Sequence, residues 1–166
     1  MGVVYLVGFM GAGKTSVGRR VAELLGSDFV DLDARIEASA GAPIPEIFRT
    51  RGEPEFRRLE RAELERASAL GNAVVALGGG AFCSPKNAEL VRSTGASVYL
   101  EAPADVLFAR CPPDGSRPLF TTRDAMEALL ERRRPLYAKA DLCVDTSRLS
   151  VEEAAHAVVA ALGSRS

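Results

Sequence analysis

Gly8-Phe9-Met10-Gly11-Ala12-Gly13-Lys14-Thr15 stands between an apolar run, Val3-Val4-Tyr5-Leu6-Val7, and a 3–4 apolar pattern running from Ser16-Val17 through Val21. The spacing fits Gly-x-x-x-x-Gly-Lys-[Ser/Thr], the phosphate-cradling P-loop. Its context fits as well, because the apolar run reads as a buried strand and the pattern after it as a helix. Gly8, Gly11 and Gly13 let the backbone turn tightly, so successive amide hydrogens converge on phosphate oxygens. The cradle is expected to run from Gly11, Ala12 and Gly13 into Lys14, Thr15 and Ser16, with the positive end of the helix adding to the attraction. Lys14 is placed to reach the β- and γ-phosphates, and the Thr15 hydroxyl to ligate a magnesium ion bridging them. The plainer alternative is a glycine-rich turn with a chance Gly-Lys-Thr, which does not account for the complete motif in its strand–helix setting. The stretch predicts a bound nucleoside triphosphate.

A chain of 166 residues suits one domain with a sizeable core. Its 47% apolar and 26% charged residues are ordinary for a globular protein, and a net charge of −1 offers no global field for nucleic acid or an acidic membrane. An anionic ligand must therefore be held by local clusters. Cys83, Cys111 and Cys143, with the single His156, make neither a disulfide framework nor an ordinary zinc site, and they fit a reducing compartment. A strand starting next to Met1 leaves no room for a signal peptide, and no apolar run spans a bilayer, so a cytoplasmic protein is expected.

Along the chain, Lys14 to Leu25 reads as a helix closed at Gly26, and Phe29 to Asp33 as a short buried strand ending in two acids. Ala34 to Ala40 and Pro43 to Arg51 read as short helices, and Gly52 separates the second from a long one over about Glu53 to Leu70. Ala73 to Leu77 is a strand that stops at Gly78-Gly79-Gly80. Ser84-Pro85 starts a helix that ends near Gly95, with Ser84 as its cap. A strand at Ala96 to Leu100, a helix at Pro103 to Arg110, the irregular Cys111 to Pro118, a helix at Thr122 to Ala140 weakened by Pro135, and a strand at Leu142 to Asp145 follow. The last helix opens with the capping box Ser150-x-x-Glu153 and runs to Gly163. Five apolar strands alternating with helices imply an α/β fold with a parallel sheet covered on both faces. Ligands of such sheets bind beyond the carboxyl ends of the strands, which places the P-loop, Asp31/Asp33 and Gly78–Gly80 on one rim.

On a strand, Asp31 and Asp33 would face one side, one to hold magnesium and the other to orient or deprotonate an acceptor hydroxyl. Solvated acids capping the next helix are the alternative. The glycine triplet suits close approach by a ligand, or is simply a flexible turn. Arg57 and Glu60 lie one helical turn apart, so an ion pair would fix the guanidinium for a carboxylate or phosphate; otherwise Arg57 is an exposed helix charge. Arg132-Arg133-Arg134 also reads as a solvated face. Arg117, on a Gly/Pro-bounded segment, is a candidate to close over a nucleotide and stabilise charge on the transferring phosphoryl group. The cysteines are expected to be packing residues, Cys143 in a buried strand, and His156 to be structural.

These residues align in order with one family. The chain resembles shikimate kinase over nearly its whole length, through the P-loop, Asp31-Leu32-Asp33, Ile44-x-Glu46-Ile47-Phe48, Gly52-Glu53-x-x-Phe56-Arg57-x-x-Glu60, Gly78-Gly79-Gly80, Arg117-Pro118-Leu119 and Arg133-x-Pro135-Leu136-Tyr137. The resemblance implies a P-loop kinase fold like that of the nucleoside monophosphate kinases, a five-stranded parallel sheet of order 2-3-1-4-5. It implies one domain over 1–166, with a substrate-binding helical region at about 33–61 and a lid at about 111–122. It also implies ATP- and Mg2+-dependent phosphorylation of the 3-hydroxyl of shikimate, by an enzyme that is a monomer by default for the fold. By position, Asp33 binds the substrate hydroxyls and is the base, while Asp31 helps to hold magnesium. Arg57 and Arg133 take the carboxylate, Glu60 orients Arg57, and Gly79 with Gly78 and Gly80 lines the ring. Arg117 covers the phosphates, Arg110 begins the adenine-side contacts, and Arg148 is an approximate counterpart of a second adenine-side arginine. The segment between Arg117 and Arg133 is a few residues shorter than the family's pattern. The rival readings are a gluconate-type kinase, which would not require both Arg57 and Arg133 in these contexts, and a nucleotide-binding module without kinase activity, whose nucleotide affinity would ignore shikimate.

Overall fold

All five residues of β1 (Val3–Val7) are buried, as expected of a strand with neighbours on both sides and helices on both faces. The computed structural model describes residues 2–110 and 122–165. After β1 the chain forms α1 (Lys14–Leu25), β2 (Asp28–Asp31), α2 (Leu32–Ala40), α3 (Ile44–Ser68), β3 (Ala73–Ala76) and a 3-10 turn at Ala81–Cys83. It continues with α4 (Pro85–Thr94), β4 (Gly95–Glu101), α5 (Ala104–Arg110), α6 (Arg123–Tyr137), β5 (Leu142–Asp145) and α7 (Val151–Gly163). The strands form one sheet of order β2-β3-β1-β4-β5, with every pair parallel. From β1 the chain builds β2 and β3 on one side and β4 and β5 on the other, so the loop after β1 opens where the strand order reverses.

The core is the apolar sheet sandwiched by helix faces. Val17, Val21 and Ala22 of α1 and Ala154, Ala155 and Val158 of α7 are buried where those two helices pack together. A buried Tyr5 keeps its hydroxyl satisfied by Thr94 Oγ1 at 2.6 Å.

Several elements differ from the reading of the sequence. β2 ends at Asp31, not Asp33, because its partner β3 ends at Ala76, the residue paired with Asp31. Asp31 then caps α2, its Oδ1 accepting from the Ala34 amide at 3.3 Å, and Asp33 falls in the first helical turn. The two acids therefore do not share a strand face. The helices on either side of Gly52 run end to end as α3, broken by the extended, positive-φ backbone of that glycine (φ 82°, ψ 166°). Gly95 closes α4 as expected, its amide donating to the Val91 carbonyl, and also starts β4, while the Ser84 side chain makes no capping bond. Cys143 is exposed, not buried, because β5 is an edge strand with β4 as its single neighbour. Its thiol donates to Glu101 Oε2 at 3.1 Å; partial burial and that carboxylate push the thiol up to about 12. His156 is exposed, paired with Glu152 Oε1 at 2.9 Å, and is not among the residues that line the cleft.

Candidate active site

The turn from β1 into α1 places an uncapped helix end at the mouth of a cleft. Gly13, the N-cap of α1, has no side chain to cap the helix, and no acid lies in the first turn, so the helix dipole there suits an anionic ligand. Gly11, Ala12, Gly13, Lys14, Thr15 and Ser16 line a cleft of about 760 Å³ whose far wall is Arg110, Thr146, Leu149 and Ala154. The Lys14 ammonium donates to the Gly8 carbonyl at 2.5 Å and to that of Phe9 at 3.1 Å, which holds its charge at the base of the loop. Thr15 Oγ1 donates to Asp31 Oδ2 at 3.2 Å, bringing together two hard oxygen donors, one from the first turn of α1 and one from the end of β2. Arg110 clasps the cleft from the side: Nη2 donates to Thr146 O at 3.0 Å and Nη1 to Gly11 O at 3.4 Å.

A second compartment of about 220 Å³ opens from the first, and Met10, Asp33, Glu37 and Gly79 line both. Its remaining wall includes Ile44, Phe48, Phe56, Arg57, Glu60, Gly78, Gly80 and Arg133. The rings of Phe48 and Phe56 pack at 4.7 Å between centroids and give the wall an apolar side. Arg57 Nη1 donates to both oxygens of Glu60, at 3.0 and 3.1 Å, and Glu60 is only 1% exposed. Burial pushes the Glu60 carboxyl up, against the pull of Arg57. Arg133, 7% exposed, keeps a buried Nη1 that has no hydrogen-bond partner among the described residues.

The glycine triplet is what lets these groups converge. A Cβ at Gly78 would stand 2.6 Å from Asp33 Oδ1, and one at Gly80 would stand 2.8 Å from Arg57 Nη2 and 2.9 Å from Arg133 Nη2. Two guanidinium groups thus converge beside one turn, with Arg57 held by Glu60 and, at 3.3 Å, by Glu53, while Asp33 and Glu37 also line the pocket. The two adjacent guanidinium groups and the unpartnered Arg133 Nη1 suit an incoming carboxylate, bound by planar, bidentate contacts. Asp33 stands where that compartment meets the phosphate cleft, as a group that accepts a proton during transfer must.

Of the residues singled out in the sequence, Gly11 to Ser16, Asp31, Asp33, Arg57, Glu60, Gly78 to Gly80, Arg110 and Arg133 come together on this rim. Within the arginine triplet Arg133 alone is buried, and Arg134 turns out to Glu131 at 3.3 Å. Arg148 is exposed and does not line the cleft; the lining is taken up by its neighbour Leu149. Arg117 and Cys111 lie outside the described residues, as does the expected lid except Thr122, which caps α6 through the Ala125 amide at 3.1 Å. Three contributors went unread. Met10 lies between the two compartments. Glu37, four residues after Asp33 and so on the same helix face, accepts from the Ile44 amide at 2.8 Å and ties α2 to α3. Tyr137, four residues after Arg133, donates to the Gly79 carbonyl at 2.5 Å. The i, i+4 offset from a recognised residue was the signal available for the last two.

Comparison with known proteins agrees with this fold. A shikimate kinase from Ruegeria pomeroyi is 43% identical, over 98% of this chain and 85% of the relative. The solved shikimate kinase from Acinetobacter baumannii in complex with shikimate superposes with a TM-score of 0.94 at 38% identity, covering 99% of this chain and 94% of that one. A gluconokinase from Sinorhizobium meliloti superposes with a TM-score of 0.63 at 22% identity, over 98% of this chain and 92% of that one, and shares the fold alone. The family model for shikimate kinase matches residues 10–163, and the chain belongs to the shikimate kinase family.

Proposed function

We propose that this chain transfers the γ-phosphoryl group of ATP to the 3-hydroxyl of shikimate, giving shikimate 3-phosphate and ADP, with the triphosphate in the larger compartment and the acceptor in the smaller. The observation that carries the reading is the junction. Asp33 lies between an open helix N-terminus on one side and the Arg57–Arg133 pair on the other. Arg57 and Arg133 take the acceptor's carboxylate, with Glu60 holding Arg57 in place. The glycine turn lines the ring, and Asp33 accepts the proton of the attacking hydroxyl. As the new bond from that oxygen to the γ-phosphorus forms, the bond from the γ-phosphorus to the β–γ bridging oxygen breaks, leaving ADP. The loop amides and Lys14 neutralise the β- and γ-phosphate oxygens. Arg110 borders the base side of the cleft, Arg148 is assigned to the same side by position in the family, and Arg117 is assigned to the phosphates in the same way.

Thr15 and Asp31 fit a divalent cation of the magnesium type. They supply two oxygen ligands in contact, and among the described residues no group of three or more acids, histidines or cysteines forms an all-protein cage. Magnesium characteristically takes one or two protein oxygens, water and substrate phosphates. When bound, it would screen the phosphate charge. We place the enzyme in the cytoplasm as a monomer acting on small molecules: one chain supplies both compartments, and Cys83 and Cys143 are free thiols. Among the described residues no helix is long and apolar enough to cross a membrane.

The test is ADP release from Mg-ATP with and without shikimate, with the phosphorylated product followed directly. Release that depends on shikimate, and that collapses in Asp33→Asn while ATP binding survives, is the expected outcome. Slow release indifferent to shikimate would overturn the acceptor assignment and leave the P-loop reading standing.

A further inference from the structure

Tyr137 is wholly buried, and the contact of its hydroxyl with the Gly79 carbonyl bridges 58 residues of sequence. That carbonyl belongs to the middle of the glycine turn, whose flanking residues face Asp33 and the two guanidinium groups. One helical turn earlier on α6, Arg133 reaches the same glycine: a Cβ at Gly79 would stand 3.1 Å from Arg133 Nη1 and 3.8 Å from the Tyr137 hydroxyl. Helix α6 therefore meets the turn at two points, one a charge aimed into the pocket and the other a neutral hydrogen bond behind it. The ring is fixed from its other side by Tyr99, at 5.3 Å between centroids. Pro135 lies between the two contacts and removes a helix amide, so the backbone of α6 alone holds its last turn less firmly.

From this we infer that Tyr137 is a positioning residue for acceptor recognition, its hydroxyl setting the distance between α6 and the glycine turn and so the place of the Arg133 guanidinium beside Arg57. Burial pushes its phenol well above the usual tyrosine range, so it stays a neutral donor throughout the working pH of the enzyme. The inference rests on the carboxylate role given above to Arg133.

Tyr137→Phe removes one oxygen and keeps the ring packed on Tyr99. Calorimetric binding of shikimate to the full chain should weaken roughly tenfold, while the KM for Mg-ATP stays within about twofold and kcat falls less than the affinity does. A purely structural hydroxyl would weaken both substrates together. The decisive reading is the double-mutant cycle with Arg133→Ala: in that background Tyr137→Phe should cost shikimate binding less than about twofold, because the group it positions is gone. Tyr99→Phe, which removes the hydroxyl of the neighbouring buried ring without touching the turn, should leave shikimate affinity unchanged. Additive losses in the cycle, an equal loss in Tyr99→Phe, or a Tyr137→Phe chain that does not fold would each overturn the inference. A wild-type chain that fails to bind shikimate sinks the functional reading instead. A wild type that binds it and a Phe variant that binds it equally well sink only the role of Tyr137.

Discussion

An alanine at Gly80 would bring its Cβ to within 2.8 Å of Arg57 Nη2 and 2.9 Å of Arg133 Nη2, and one at Gly78 to within 2.6 Å of Asp33 Oδ1. Separations that short do not occur for real Cβ atoms, so the facing group must move, and the two substitutions displace different groups. Gly80→Ala splays the guanidinium pair, and the expected result is a rise in shikimate KM of roughly tenfold, equivalent to about 1.4 kcal/mol, with the KM for ATP little changed. Gly78→Ala displaces the proposed base, so kcat should fall by at least about a hundredfold, the lower end of what general-base catalysis contributes. Steady-state kinetics of the pair checks both at once, and identical effects from the two changes would mean that the turn matters only as a hinge. At this scale the sequence was informative about residue types and silent about partners. A triplet of glycines announces close approach, but it cannot say that one neighbour is a carboxylate and the other a pair of arginines. Likewise, nothing in Arg132-Arg133-Arg134 singles out the one that is buried. That choice is made by the rotation of α6 against the glycine turn, and it was legible in advance only through the family resemblance carried by Arg133-x-Pro135-Leu136-Tyr137.

The elements were largely legible, because five apolar strand runs and the helix caps are local signals, and they lay within a few residues of their observed bounds. Boundaries shifted where a neighbour decides them. β2 stops where β3 stops, so Asp33 became a helical residue whose carboxylate projects from α2 rather than from a strand. Gly52 shows the converse, a break that was readable locally but with a consequence that was not. Its φ of 82° and ψ of 166° lie in a region reserved in practice for glycine, and the break lets Phe48 from the first part of α3 meet Phe56 from the second at 4.7 Å. An alanine there finds open space apart from Pro54 Cδ at 3.7 Å, so its cost is one of backbone conformation rather than collision. Gly52→Ala is expected to lower the unfolding free energy by about 1–3 kcal/mol, read as a shift in urea midpoint at constant m. The relaxed backbone should also rotate Arg57 away from Glu60 and weaken shikimate binding. An unchanged midpoint would mean that the break is not strained.

At the scale of the whole molecule, the nucleotide cleft is bounded by the first and last helices, α1 and α7, which pack side by side although 125 residues of chain separate the end of one from the start of the other (Leu25 to Val151). Across their exposed seam Arg20 makes a two-point contact with Glu152, Nε to Oε2 at 2.7 Å and Nη2 to Oε1 at 3.0 Å, while Glu23 and His156 extend the network on either side. No local pattern discloses such a pairing; it exists because β1 is central and both helices cover the same face beside it. Arg20, and after it His156, hold the Glu152 carboxyl down at about 2, against an ordinary value of 4.5. A carboxylate with a depressed folded-state pKa stabilises the fold above its unfolded value, and that contribution disappears as pH falls through the folded one. The pairing should therefore contribute in full above about pH 4.5 and be lost progressively down to about pH 2. Both side chains are well exposed, so the effect is modest and is weakened by salt. Melting temperatures of the wild type and Glu152→Gln, taken from pH 7 downward, check the point. The wild type should lead by a constant margin at neutral pH, the margin should narrow below about pH 4.5, and added salt should shrink it at pH 7. A margin that persists undiminished toward pH 2 would show that Glu152 holds α7 to α1 by packing, with its charge irrelevant.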